Sequence, residues 1–119
     1  MLRTFCRVKL HRLTVTDANL HYEGSITIDK KILKTAGLLA GELVQILNVD
    51  NGNRFETYII EGDKPGEICI NGAAARLAKK GDLIIVAAYA LLDEKEIEKY
   101  QMRVVSFDEN NHMVKVKGW

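Results

Sequence analysis

The sequence predicts a mainly β protein, a small closed barrel with short helices, and three observations carry that prediction. Apolar and polar residues alternate with period two through most of the chain, the pattern of strands with one buried face. Glycine-containing turn signals separate these stretches, Asn51-Gly52 above all, because both residues tolerate the positive φ of a tight hairpin. A Gly-acid turn leading into a strand occurs twice, as Gly41-Glu42-Leu43-Val44-Gln45-Ile46 and Gly81-Asp82-Leu83-Ile84-Ile85-Val86, and marks two related halves. A solenoid needs about three or more units to bury its faces, so two halves point to closure into a pseudo-symmetric barrel. Closure also removes exposed strand edges.

In chain order, Phe5 to Leu10, Leu13 to Val15 and Ser25 to Ile28 read as short strands. Lys30 to Ala36 follows with helical spacing, Asp29 as a plausible N-cap and Gly37 as a left-handed C-cap. Leu43 to Val49 and Phe55 to Ile60 form the hairpin around Asn51-Gly52, which sets Arg54 beside the turn. Ile68 to Ile70 is a strand, Ala73 to Lys80 a helical stretch stopped by Gly81, and Leu83 to Tyr89 a further strand. Asp93 to Tyr100 carries Glu and Lys at helical spacing, and Met102 to Phe107 and Met113 to Lys117 flank a second hairpin turn. This tail reads as packing or subunit contact.

At 119 residues, 47% of them hydrophobic, the chain is expected to form one domain, 1–119, around one core. The formal charge of +1 provides no basic footprint for nucleic acid and no cationic face for a membrane surface, so neither is expected as a partner. Cys6 and Cys69 lie far apart without a CxxC motif or clustered histidines; they read as half-buried thiols, with neither a disulfide framework nor a metal site expected. The start is broken by charge every two or three residues, unlike a secretory signal, and no stretch approaches the ~18 apolar residues of a membrane span. A cytoplasmic protein is the expectation.

Chemistry concentrates at His21-Tyr22-Glu23-Gly24-Ser25. Gly-Ser is a common way to permit a tight turn before a strand. The same small residues also permit a reaction, because without a Cβ on Gly24 the Ser25 hydroxyl can reach the preceding carbonyl and draw the acyl group from nitrogen to oxygen. Elimination across Cα and Cβ of Ser25 then leaves a dehydroalanine, which hydrolyses to a pyruvoyl group on a new amino terminus. That ketone is an electrophile for a substrate amine and a sink for the electrons left when an α-carboxylate departs as carbon dioxide.

Four blocks, Lys9-Leu10-His11-Arg12, Asp17 to Ser25, Asn51-Gly52-Asn53-Arg54-Phe55-Glu56-Thr57-Tyr58 and Asn71-Gly72-Ala73-Ala74-Ala75, occur in an order and combination that closely resembles the aspartate 1-decarboxylases, pyruvoyl enzymes of β-alanine and pantothenate synthesis. The resemblance runs from Met1 to about Tyr89. It implies a double-psi β-barrel assembled as a homotetramer, with the precursor cutting itself between Gly24 and Ser25 into a 1–24 β chain and a 25–119 α chain. It further implies that Ser25 becomes the pyruvoyl group, which holds the substrate amine as a Schiff base, that Tyr58 donates the proton to the decarboxylated carbon and that Thr57 touches substrate. Gly72, Ala73 and Ala74 would line the substrate site through their backbone. Leu47, where some members carry tryptophan, and Ile26, where a smaller residue or cysteine is common, depart from the pattern without removing a reacting group.

The residue chemistry agrees. L-aspartate presents two carboxylates, and the planar fork of Arg54 suits a bidentate grip on one of them. Lys9 is a second candidate, balanced against a solvated strand lysine. His11, His21 and Tyr22 gather near the first strands and read as site-lining at best. Thr57 and Asn71 can supply oxyanion donors during the acyl shift or orient substrate, and Asn71 also reads as a helix N-cap with free N–H groups behind it. Two other functions compete. Residues 26–46 also resemble the swapped-hairpin DNA-binding domains of bacterial transition-state regulators, with Lys30, Lys31 and Lys34 toward phosphates, but those modules are much shorter and leave residues 51–75 unexplained. A catalytically silent barrel serving as an assembly module is the third reading.

Overall fold

The computed structural model describes all 119 residues, and its first strand already departs from the sequence reading. Strand β1 (Arg3–Thr14) is continuous where two short strands were expected. Its pairing with a later strand shifts register between Leu10 and Leu13, and Arg12 takes a φ of 68°. The extra residue of this bulge inverts the alternation, so Leu10 and Leu13 both point into the core although they stand three apart. A strict period of two reads the same place as a break.

The remaining elements are β2 (Asp17–Asn19), β3 (Ser25–Asp29), α1 (Lys30–Ala36), β4 (Leu43–Asn48), β5 (Arg54–Gly62), β6 (Ile68–Asn71), β7 (Leu83–Leu92), α2 (Glu94–Glu98), β8 (Arg103–Phe107) and β9 (Met113–Lys117). The capping expectations for α1 hold: the Asp29 carboxylate accepts the Lys31 N–H, and Gly37 closes the helix in the left-handed region. The expected helix Ala73 to Lys80 does not form. Residues Gly72–Arg76 make one short 3₁₀ turn, followed by a loop into β7, and Gly81 with φ 93° shapes that loop instead of capping a helix. Asn71 stands at the N-cap position but makes no capping bond, because its side chain is committed elsewhere. No helix is long and apolar enough to cross a membrane.

The strands follow the order β2-β6-β3-β5-β4-β7-β1-β8-β9. Since β1 runs almost directly into β2, with Thr16 N–H donating to the Ile68 carbonyl between them, the path from β2 round to β1 closes through a single stretch of chain. The two halves interlock about a pseudo-twofold: β3 pairs antiparallel with β6 and β4 with β7, while β5 lies parallel to β3 as β2 lies parallel to β6. This is a double-psi arrangement, with β8 and β9 appended to the outer side of β1. One cluster of 21 buried apolar residues fills the interior, led by Leu10, Leu13, Ile26, Ile28, Ile46, Ile59, Ile70 and Ile84.

Both Gly-acid turns use their acid in the same way. Glu42 accepts the N–H of Leu39 and Asp82 the N–H of Lys79, each three residues back, so the repeat seen in sequence is a repeated side-chain clasp at the entry to β4 and β7. The C-terminal tail packs on the chain itself. The Arg103 guanidinium lies 4.5 Å over the Trp119 ring and donates to the Thr35 carbonyl at the end of α1.

Candidate active site

Strands β3 and β6 pair so that Ser25 lies opposite Asn71 and Thr27 opposite Cys69. Side chains two apart on a strand share a face, so these four point to the same side, away from the core that Ile26, Ile28, Ile68 and Ile70 fill. Ser25 is nevertheless fully buried. Its hydroxyl donates to the Glu23 carbonyl at 3.0 Å and accepts from Asn71 Nδ2 at 3.0 Å. The same Nδ2 donates to Thr27 Oγ1 at 3.0 Å, and Asn71 Oδ1 accepts from Cys69 Sγ at 3.2 Å. The amide therefore has partners on both its atoms, which explains why Asn71 caps nothing.

Two glycines bring backbone to this point. Gly72 has φ 72°, and a Cβ placed on it would lie 2.7 Å from Gly24 Cα and 2.7 Å from Gly24 N. Nothing lies within 4 Å of the position a Cβ on Gly24 would take, so the bond before Ser25 is crowded by one glycine and open at the other. Ala74 in the 3₁₀ turn packs against the core, while Ala73 is exposed. Thr27, Asn71, Cys69, Tyr22 and Asn19 line a cleft of about 330 Å³ together with the charged groups of residues 61–67.

Thr57 and Tyr58 precede Ile59, whose partner on the parallel β3 is Ile26, and so they flank the end of β3 where Gly24 and Ser25 lie. They point to opposite faces: Tyr58 outward and 39% exposed, Thr57 toward the barrel side that Ile59 occupies. Tyr58 thus shares a sheet face with Ser25. Arg54, at the start of β5, shares that face but stands four residues away, roughly 13 Å along the strand. Lys9 and His11 lie on β1 between β7 and β8, and neither bonds to Ser25 or Asn71. Burial, helped by the charges of Lys9 and Arg12, lowers the His11 pKa, so that ring is neutral at pH 7. Tyr22 is exposed on the cleft rim. No group of three or more His, Cys, Asp or Glu side chains is placed to hold a metal ion.

The sequence does not single out Thr27 or Cys69, which the structure places beside Ser25 and Asn71. Their signal was the spacing itself, since Ser25/Thr27 and Cys69/Asn71 are both i, i+2 pairs on strands, but only the pairing of β3 with β6 makes the two pairs meet.

The chain matches the family model described as "Aspartate decarboxylase" over residues 1–114. It is 53% identical over 115 residues to the aspartate 1-decarboxylase of Thermoanaerobacter pseudethanolicus, covering 96% of this chain and 98% of the relative. The aspartate 1-decarboxylase of Caldicellulosiruptor saccharolyticus is 50% identical over 119 residues, 99% of this chain and 93% of the relative. That of Helicobacter hepaticus is 53% identical over 108 residues, 91% and 90% of the two chains. Among solved structures, a computationally designed protein overlaps 60% of this chain and 92% of its own at a TM-score of 0.47 and 18% identity.

Proposed function

The chain belongs to the aspartate decarboxylase family, and on that premise we propose that it cuts itself between Gly24 and Ser25 and converts Ser25 to a pyruvoyl group. Its activity is the decarboxylation of L-aspartate to β-alanine and carbon dioxide, which feeds pantothenate synthesis. The observation that most directly supports self-cleavage is the buried Ser25 hydroxyl, held by Asn71 and the Glu23 carbonyl beside Gly24, whose backbone leaves no room for a side chain on Gly72.

In the first step Ser25 Oγ bonds to the Gly24 carbonyl carbon, the Gly24–Ser25 C–N bond breaks, and the hydroxyl proton ends on the freed amine. Loss of the Ser25 Cα proton expels Gly24 as a carboxylate, and water then displaces the nitrogen as ammonia. Oγ departs on the Gly24 carboxylate and the keto oxygen, taken from water, replaces the Ser25 nitrogen on Cα, so the Asn71 Nδ2 that holds Oγ before cleavage is left as a donor for an oxygen acceptor beside the new group. When formed, the group supplies the electrophile and electron sink that decarboxylation of an amino acid needs.

The chain's own residues then bind and protonate. Tyr58 delivers a proton to the carbon that has lost carbon dioxide. Arg54 and Lys9 hold the substrate carboxylates, Thr57 and the backbone of Gly72, Ala73 and Ala74 orient the molecule, and His11 and Tyr22 line the approach. Within one chain Arg54 and Lys9 stand away from Ser25, which favours a site completed across subunits and hence a homotetramer. The resemblance of residues 26–46 to DNA-binding hairpins reduces to the β3–α1–β4 half of the barrel. The cytoplasm, where free aspartate is drawn on for coenzyme synthesis, fits this reading.

Two variants separate the roles. Ser25→Ala should leave a folded, uncut and inactive chain. Tyr58→Phe should still be cut but decarboxylate aspartate slower by roughly 10²-fold or more. A fully active Tyr58→Phe enzyme removes Tyr58 as the proton donor.

A further inference from the structure

We propose that Cys69 is a positioning residue for chain cleavage, its thiol fixing the orientation of the Asn71 amide that holds the Ser25 nucleophile. The inference rests on the reading of Ser25 as acyl acceptor. An asparagine side chain is nearly symmetric in shape, and which end carries N–H is set by its partners. On one side Asn71 meets two hydroxyls, Ser25 Oγ and Thr27 Oγ1, each able to donate or accept. That side does not choose.

On the other side stands Cys69 Sγ, 3.2 Å from Oδ1, and a thiol has a proton to give but is a poor acceptor for an amide N–H. It selects the orientation with Oδ1 toward sulfur and Nδ2 toward Ser25. If the amide were turned over, Ser25 would have to donate to Oδ1, abandoning the Glu23 carbonyl to which it now donates, and Nδ2 would face sulfur in a site where Asn71 is only 3% exposed. In the observed orientation the Ser25 proton stays on the backbone side, next to the peptide that must be attacked, and an oxygen lone pair is pinned by Nδ2. Cys69 touches neither the scissile bond nor Ser25, so its influence passes through Asn71.

The arrangement requires the thiol to keep its proton. Burial raises the Cys69 pKa, and Asp17 opposite it on β2 and Glu67 raise it further, against a smaller opposing effect of Lys64; Tyr22, Glu61 and Asp63 are the other ionisable groups on the cleft. At neutral pH the thiol therefore donates. At alkaline pH a thiolate would face Oδ1, repel it and release the amide.

The test follows cleavage of the full-length chain by denaturing mass spectrometry, from cold-purified precursor, across pH. Cys69→Ala and Cys69→Val should slow cleavage by about tenfold, the scale typical of a residue acting through another, while Cys69→Ser, which keeps a donor, should stay close to wild type. The wild-type rate should also carry a falling limb at alkaline pH that Cys69→Ser lacks, a difference that packing alone does not produce. Cleavage of both Cys69→Ala and Cys69→Val at the wild-type rate, or an alkaline limb unchanged in Cys69→Ser, overturns the proposal while leaving the reading of Ser25 intact. A wild-type chain that never cuts overturns both.

Discussion

Gly72 leaves no room for a side chain beside Gly24, and this is the constraint at the residue scale that bears most directly on the bond before Ser25. A methyl at Gly72 would meet Gly24 Cα and N at 2.7 Å and the Tyr22 carbonyl at 2.9 Å, all backbone atoms that cannot rotate away. Gly72→Ala also pays for φ 72°, about 1 kcal/mol or more for a residue with a Cβ. We expect the variant to fold but to cut at least about tenfold more slowly, since displacing a reacting group by about 1 Å can cost 10²-fold; the time course of fragment appearance measures it. Unchanged cleavage would show that the Gly24 peptide need not sit where Gly72 holds it. The sequence showed Gly24, Ser25, Asn71 and Gly72 as candidates but not that they meet. Asn71 before Gly72-Ala73-Ala74 reads equally as a helix cap, and only the strand opposite, with Ser25 and Thr27 offering hydroxyls, decides that its amide turns the other way.

At the scale of elements, local chemistry was legible wherever a side chain acts on its own neighbourhood. Asp29 and Gly37 bound α1, and Asn51-Gly52 turns β4 into β5, as their types dictate. The continuous β1 was not legible, because its bulge at Arg12 answers to the neighbouring strand β7, distant in sequence, and breaks the period on which strand reading depends. The Gly-acid repeat carried more than it disclosed. The buried Asp82 carboxylate accepts the Lys79 N–H and, from the other half of the barrel, Asn48 Nδ2 at 2.9 Å. The Lys79 hydrogen bond, followed by that from Asn48, holds its pKa below the usual carboxylate value against the opposing effect of burial. A lowered folded-state pKa gives stability that is fully present above the unfolded value, about 3.9, and is lost as pH falls through the folded one. Asp82→Asn should therefore lower stability at pH 7 by about 1–3 kcal/mol and flatten its loss below about pH 4, as read from urea midpoints across pH. An acid slope identical to wild type would detach Asp82 from that loss.

For the whole molecule, one sheet face stays uncovered. Leu43 and Leu91 are each 62% exposed, with Tyr58 and Tyr89 beside them on β5 and β7, and a second cleft of about 410 Å³ opens there, lined by Leu43, Val44, Gln45 and Tyr89. An apolar face carrying the proposed proton donor is what an assembly that completes the site would bury. Sedimentation equilibrium should give a homotetramer, and a monomer with full activity would refute the shared site. Period two and the doubled Gly-acid turn made the closed barrel legible, whereas the outward face was not, since what covers Leu43 or Leu91 is written in no neighbouring residue.

Whether the chain makes its own reactive group is read from its intact mass under denaturing conditions. Incubation of the purified chain should give two species, one ending at Gly24 and one comprising residues 25–119 whose first residue has lost its amine and carries a ketone. Both should elute together before denaturation, since β1 within the short piece pairs with β7 and β8 of the long one. A single uncut mass after prolonged warm incubation would contradict self-cleavage.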